Sequence, residues 1–486
     1  MNKFRQILFY ALFLTLVISA QKKPNIVLIY ADDQGWKDIG YQSDGEFKTP
    51  VLDKLASEGM IFTDAYTNAA NCQPARACLL SGNYTPRHHV FAVNSTNRGP
   101  SSKMRLIPIP NRDGLAVENI TIADALKEAG YATGHFGKWH LYEKGGKNTP
   151  GGGGALPSQQ GFDVTYDSFG EGEHPEGAKG NLKGPSNDAK GVYTLSRKAC
   201  EFMEANKDKP FFVYLAHHAP HGPVQAREST RKMISDTYKA CIYDLDDSVG
   251  HVLKKIKELG LEKDTLVIYT SDNGSGAKSQ EPLRGKKGCY YEGGIREPMI
   301  AYWPGVIEAG SVSSVPVMQI DYFPTFLDMA GVKSSKILDG ESLMPLLTQT
   351  GKLKRQSLFW HMPGYLDKAV LRGRDKIFRT RPVTVMRKGR WKMHLYLEEW
   401  LLDGGRAGFP DNKAIELYDL EHDRGEYKNI ATEKPELVDQ LLTELLEWHG
   451  TCEAPIPTEK NPAYGIEEPS KGKKSKNKRK NKKESK

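Results

Sequence analysis

Ile26-Val27-Leu28-Ile29-Tyr30 is an unbroken apolar run that leads, through Ala31, into the carboxylate pair Asp32-Asp33. A run of this length, too short for a helix, reads as a strand buried on both faces, the habit of parallel sheets. Phe211-Phe212-Val213-Tyr214-Leu215 and Thr265-Leu266-Val267-Ile268-Tyr269 repeat the pattern. Helices with readable ends lie between them. Thr49-Pro50 opens one that closes at Gly59, and Thr121 caps another that closes at Gly130. Apolar strands alternating with helices predict an α/β fold: a large mixed, mostly parallel sheet flanked by helices, over residues 21–375. After about Lys376 the pattern changes. Trp391–Tyr396 and Ile415–Tyr418 alternate like strands, and a helix runs from Pro435 to about Trp448. This predicts a smaller C-terminal α+β subdomain over 376–460, an antiparallel sheet plus a helix. The Gly-rich stretches Gly145–Leu156 and Gly170–Gly191 read as flexible loops.

Charge is carried mainly by the two ends. The 486 residues hold 68 Lys+Arg and 60 Asp+Glu, a net charge of +8. Lys3 and Arg5 precede an apolar run, Ile7–Ala20, that is short for a spanning helix and has the form of a signal peptide over residues 1–20. The expected mature protein is secreted or periplasmic, with no transmembrane segment. Lys471–Lys486 is an apolar-free block of ten basic residues and one acid, within a Lys-rich tail (461–486) expected to be disordered. The remaining body holds 56 basic and 59 acidic residues, a net −3. That excludes a nucleic-acid-binding reading, and leaves the tail as a solvated end or an electrostatic tether. Six cysteines are too few for a disulfide scaffold of this size, although one or two bridges are compatible with export.

Open α/β sheets place their sites at the C-terminal ends of strands. The three strands deliver Asp32-Asp33, His217-His218-Ala219-Pro220-His221 and Ser271-Asp272-Asn273. Each acidic pair alone is commonly a solvated turn or cap. Converging on one edge, they need a cation, and oxygen ligands suit Ca²⁺, with Mg²⁺ second and zinc disfavoured for want of His and Cys ligands. A further segment, Asn71-Cys72-Gln73-Pro74-Ala75-Arg76-Ala77-Cys78-Leu79-Leu80-Ser81-Gly82, reads as a helix with Cys72 at its N-terminus. There the helix dipole favours negative charge and Arg76, one turn on, could hold it; the alternative is a packed Cys beside a helix-starting Pro.

Cys72-x-Pro74-x-Arg76 followed by Leu79-x-Ser81-Gly82 resembles the signature of type I (formylglycine-dependent) sulfatases, in the alkaline-phosphatase-like superfamily. The resemblance spans most of the mature chain, through Gly137-Lys138-Trp139-His140, Pro220-His221-Gly222-Pro223, Ser271–Gly274, Leu283–Gly288, Glu292–Arg296 and Glu416–Leu420. Ala75 and Ser81 depart from the commoner Ser and Thr of that signature. The resemblance implies that a maturase oxidises Cys72 to formylglycine (3-oxoalanine), whose hydrate is the nucleophile. It makes Asp32, Asp33, Asp272 and Asn273 the metal ligands, with modified Cys72 completing the set. Arg76, Lys138, His140, His221 and Lys287 are then the groups around the sulfate, Lys287 being chosen over Lys286 by its spacing to Glu292-Gly293-Gly294. A covalent sulfo-enzyme follows, with Asp272 taking a proton on attack, His221 as general acid and His140 assisting release. His135, His218, Glu281, Arg284 and His361 are candidate substrate contacts, although a satisfied loop histidine is the commoner reading for His135 and His361. His217 reads as strand-end packing and Asp38 as structural.

The expected activity is hydrolysis of sulfate esters of a polysaccharide or oligosaccharide, an algal glycan such as ulvan or a glycosaminoglycan. The alternatives are an arylsulfatase, a phosphate or phosphonate ester hydrolase using the same site, and an inactive glycan-binding protein. Oligomeric state is not legible in the sequence.

Overall fold

The computed structural model describes residues 23–141, 155–167 and 187–466. The proposed signal peptide, the Lys-rich run Lys471–Lys486 and most of both Gly-rich loops lie outside the described residues.

The large sheet contains strands β1 (Asn25–Asp32), β2 (Met60–Phe62), β3 (Ala132–Gly137), β4 (Val164–Asp167), β5 (Phe211–Pro220), β6 (Thr265–Ser271), β7 (Ile300–Tyr302) and β8 (Ser311–Ser313), in the order β8-β2-β7-β6-β1-β5-β3-β4. β6, β1, β5, β3 and β4 are mutually parallel, and β7 runs antiparallel to both its neighbours. The expected mixed, mostly parallel sheet is therefore present.

Strand periodicity divides β1 between two cores. Ile26, Leu28 and Tyr30 pack with helices α2 (Cys72–Ser81), α3 (Ile122–Glu128) and α6 (Tyr322–Ala330). Val27, Ile29 and Ala31 pack with α1 (Pro50–Glu58), α4 (Val192–Ala205) and α5 (Thr237–Glu258) on the other face. Both faces are buried, which is why the run is apolar throughout rather than alternating. The expected helix ends hold. Thr121 forms a capping box with Asp124 at the start of α3, and α1 has Pro50 in its first turn. Gly82 closes α2 at φ +66, where a Cβ would meet Leu338 and Phe323 at 2.8 Å.

A second sheet, β9 (Ser357–Met362), β10 (Val383–Lys388), β11 (Trp391–Tyr396) and β12 (Ile415–Asp419), is antiparallel in that order. Helix α7 (Pro435–Thr451) covers it, laying Leu441, Leu442, Leu445 and Trp448 on the sheet, with Trp448 stacked on Phe359 at 4.7 Å. The edge strand β9 precedes residue 376, so chain from both sides of that position builds this layer. A buried ion network joins the layers: Lys392 on β11 meets Glu292 at 2.9 Å and Glu426 at 3.0 Å, and Glu292 also meets Arg296 at 2.7 Å. It holds the Glu292-Gly293-Gly294 turn against Gly274, where a Cβ would lie 2.1 Å from the Gly293 carbonyl. All six cysteines are free thiols, so the fold uses no disulfide.

Candidate active site

Four adjacent parallel strands, β6, β1, β5 and β3, end at one place. β1 delivers Asp32 and Asp33, both buried, with Asp33 in the left-handed region at φ +67. β6 delivers Asp272 and Asn273, and the Asp33 amide donates to Asp272 Oδ1 at 3.0 Å, so the two strand ends lock together. Beyond β3, Lys138 Nζ meets Asp32 Oδ2 at 2.6 Å. His140 follows, left-handed at φ +64 with a buried, unpartnered Nδ1. Beyond β5, the His221 Nδ1–H donates to the Gly222 carbonyl at 2.6 Å, which turns Nε2 toward Asp33 Oδ2 at 3.7 Å.

Helix α2 points its first turn into this cluster. Cys72 is its first residue, 2% exposed, and Lys287 Nζ stands 3.7 Å from its Sγ while also pairing with Asp33 Oδ1. Lys287 faces inward, whereas Lys286 lines a groove beside it. Arg76 was expected to hold charge on Cys72; instead it is committed elsewhere. Its Nη2 and Nε donate to Asp272 Oδ2 at 2.7 and 3.1 Å, its Nη1 donates to the Lys138 carbonyl at 2.8 Å, and it stacks over Tyr30 at 5.1 Å. Burial pushes the Cys72 thiol up despite Lys138 and Lys287, so at neutral pH it is not a thiolate. As an unmodified nucleophile it is poorly activated.

The remaining titrations follow burial and neighbouring charge. Burial opposes the charged form of Asp32, but Lys138, His221 and Arg76 outweigh it and hold the carboxyl well below its usual range. Burial, then the charge of Asp32, raises Asp272 to about 7. Burial, reinforced by Lys138 and Arg76, keeps His140 neutral. Asp32 draws His221 upward, yet burial and Lys138 leave it below the ordinary histidine value.

The donor set fits a hard divalent cation. Asp32 Oδ1 and Asn273 Oδ1 are buried oxygens with no hydrogen-bond partner. Ligand atoms of Asp32, Cys72 and Asp272 lie within 4.8 Å of one another, as do those of Asp32, Asp33 and His221. Three carboxylates here face three cations, Arg76, Lys138 and Lys287, so a bound dication gives the cluster a net positive charge suited to an anion.

The other expected contacts separate. His135 is not brought to the site: it is fully buried among Trp139, Phe162 and Tyr214, and burial drives its pKa to about 3. His361 is likewise excluded, because both its ring nitrogens are held within the second layer, by Thr384 and the Pro455 carbonyl. The Arg284 guanidinium packs on Tyr291 at 3.8 Å and donates to the Tyr418 hydroxyl, a packing role. Glu281 lies on an open groove beside the Lys287 loop. His218 is buried close enough to Asp32 and Lys138 for both to shift it, burial being the larger effect. His217 is buried with neither nitrogen partnered, and Asp38 is structural, accepting from Tyr238 and the Gly35 amide. Sequence reasoning missed Lys190. It was read as part of a flexible loop, yet it is 1% exposed and donates to the Pro223 carbonyl at 3.3 Å, next to His221-Gly222. Its long polar side chain in a Gly-rich stretch carries no signal of burial.

A family model described as Sulfatase matches residues 24–332. The chain belongs to the sulfatase family. A second model, N-sulphoglucosamine sulphohydrolase, C-terminal, matches residues 286–403. The sulfatase is 30% identical to a Sulfatase of Formosa agariphila, with 90% of each chain covered, and 33% identical to human Arylsulfatase A, with 87% of each covered. Among solved structures it resembles Ps i-CgsB, at a TM-score of 0.69 and 27% identity, covering 91% of this chain and 95% of that one. It is thus a type I sulfatase of the alkaline-phosphatase-like superfamily, a hydrolase of sulfuric esters. Family membership brings a metal ion and the formylglycine modification as general features.

Proposed function

We propose that this sulfatase is exported and removes sulfate from a sulfated polysaccharide or oligosaccharide, using formylglycine made from Cys72 and a Ca²⁺ ion. The observation that carries the reading is Cys72 at the head of α2, its Sγ beside Lys287 and near Asp32 and Asp272. An unmodified thiol there is disfavoured as a nucleophile, because burial keeps it protonated. The aldehyde hydrate at position 72 would supply an attacking hydroxyl and a second hydroxyl for release. A calcium held by Asp32, Asp33, Asp272 and Asn273 would neutralise sulfate charge as a Lewis acid.

The chain's own groups do the rest. Lys138, Lys287 and Arg76 concentrate positive charge where the sulfate enters, stabilising charge that builds on its oxygens during attack. Asp272 lies within 4.8 Å of Cys72 Sγ and takes the attacking hydroxyl's proton. His221, whose Nδ1–H donates to the Gly222 carbonyl, turns Nε2 to the site, and in its imidazolium form, which the neighbouring Asp32 favours, Nε2–H protonates the leaving alkoxide. His140, neutral and with a free Nδ1, takes the proton that allows sulfate to leave.

Carbohydrate as substrate draws support from Ps i-CgsB, which has also been solved in complex with k-i-k-neocarrahexaose. Export rests on the N-terminal segment; among the described residues no helix is long and apolar enough to cross a membrane. The test is twofold. Mass spectrometry of the peptide spanning Cys72, from protein of its native source, should show formylglycine. Position-defined sulfated oligosaccharides should release sulfate. Faster turnover of aryl phosphate than aryl sulfate, or an unmodified thiol in active protein, overturns the proposal.

A further inference from the structure

The Lys286-Lys287 pair divides its two charges between different places. Lys287 turns inward to Asp33 and Cys72, whereas Lys286 lines a separate groove of about 260 Å³ beside it, with Glu281, Leu283, Val370, Leu371 and Arg372. The walls come from two loops, one following β6 and the other following β9, stapled by their own hydrogen bonds. Arg284 Nε donates to the Arg372 carbonyl at 2.5 Å, and Arg372 donates back to the Pro282 carbonyl at 3.2 Å. The Arg372 guanidinium also donates to the Gly425 carbonyl at 2.6 Å and lies 3.8 Å over the Tyr427 ring. Its backbone is left-handed at φ +59, a conformation that costs a non-glycine residue and marks a position fixed by its surroundings.

The groove is net positive, with Lys286 and Arg372 against the single carboxylate of Glu281. Among the described residues no carboxylate pairs with Lys286 or with Arg372, whose acceptors are neutral carbonyls. Leu371 is 80% exposed at the same rim, next to Val370 and Leu283. Two fixed or adjacent cations, one acceptor in Glu281 and an apolar wall make a surface for a sugar ring bearing its own anion. A neutral sugar leaves the cations unanswered, and an apolar ligand leaves them desolvated without a partner.

We infer that this groove is a subsite for a second anionic group of the substrate, a further sulfate or a uronate carboxylate, on the sugar unit next to the scissile sulfate. The inference rests on the proposal that the substrate is a sulfated carbohydrate. Lys286 and Arg372 bind the anion, Leu283, Val370 and Leu371 take the ring face, and Glu281 accepts from hydroxyls. Because Lys286 and Lys287 are consecutive, one loop serves both the groove and the reacting centre. The sulfatase therefore selects for charge density along the glycan rather than for a single ester.

The experiment compares kcat/KM on three matched oligosaccharides. One carries the scissile sulfate alone, one adds a second sulfate on the neighbouring unit, and one adds a uronate carboxylate there. The full-length enzyme should prefer at least one dianionic substrate by about tenfold or more, through KM, and the preference should shrink in high salt. The arm that is preferred identifies the anion. Lys286→Gln and Arg372→Gln should each reduce the preference at least threefold, and Glu281→Gln should enlarge it. Equal kcat/KM on all three substrates, or a preference that survives Lys286→Gln, overturns the subsite while leaving carbohydrate desulfation standing. Turnover of 4-nitrophenyl sulfate with none of the oligosaccharides overturns the carbohydrate reading and the subsite with it.

Discussion

Arg76→Met removes the guanidinium on which the site's charge arrangement rests. Arg76 is fully buried, and three of its nitrogens are engaged: Nε and Nη2 with Asp272 Oδ2 at 3.1 and 2.7 Å, and Nη1 with the Lys138 carbonyl at 2.8 Å. Without it, Asp272 remains buried beside Asp32 and loses its nearest opposing charge. Removing one partner of a buried pair costs about 3–5 kcal/mol. Arg76→Lys retains the charge but not the fork, losing up to two charge-assisted hydrogen bonds at roughly 1.5 kcal/mol each. Its expected cost is therefore about 1.5–3 kcal/mol. Urea unfolding at pH 7, followed by tryptophan fluorescence, ranks wild type above Lys above Met. The unfolded Asp272 carboxyl ionises near 3.9, whereas its folded value, already raised to about 7, rises further in Arg76→Met. A carboxyl held above its unfolded value loses stability as pH climbs past that unfolded value, so the Met deficit should be larger at pH 8 than at pH 6. Turnover of 4-nitrophenyl sulfate should fall by about 10²-fold or more in Arg76→Met. An Arg76→Met protein within 1 kcal/mol of wild type, or one whose deficit narrows with pH, would falsify this account of the site.

Lys287→Gln should lower kcat on 4-nitrophenyl sulfate by roughly 10²–10³-fold, the effect of losing one group aimed at developing charge; a drop under fivefold contradicts its placement beside Cys72. Chelation should abolish turnover and lower the unfolding temperature, with Ca²⁺ restoring both, because Asp32, Asp33 and Asp272 otherwise crowd three carboxylates in one buried cluster; full activity after exhaustive dialysis against chelator counts against a metal. Burial drives His217 to about 3, against about 6.5 unfolded. The stability it contributes is present above pH 6.5 and is lost as pH falls toward 3, at about 1.4 kcal/mol per pH unit. His217→Leu should flatten the acid limb by that slope in unfolding measured between pH 4 and 6.5, and an unchanged limb shows that His217 is not buried neutral.

The fold was largely legible because its signals are local. Apolar runs of strand length, Thr121 with its capping partner Asp124, and Gly82 at the end of α2 act over a few residues. The strand ends also announced their cargo, since Asp32-Asp33, Asp272-Asn273 and His221 follow apolar runs directly. The second layer was legible from alternation in β11 and β12 but not in β9, where the apolar residues Leu358-Phe359-Trp360 run together without alternating. The histidines show where local reading fails. His135 and His361 sit in strands whose neighbours, Phe162 and Tyr214 for one and Pro455 for the other, are distant in sequence. Nothing in the flanking residues distinguishes such a histidine from one that lines a pocket.

By itself the sequence determined the order of strands and helices, the residues at the strand ends, and the Cys72–Gly82 helix that carries the family signature. Each of these depends on period, caps or contiguous residue types, which are properties of the chain itself. Tertiary structure alone decided what those residues face. Lys287 reaches Asp33 across 254 residues while Lys286 turns to the neighbouring groove, and Arg76 serves Asp272, 196 residues away, rather than Cys72. Side-chain direction at a strand end or in a loop is set by which distant segments pack there, and charge pairing is set by the distances that packing creates.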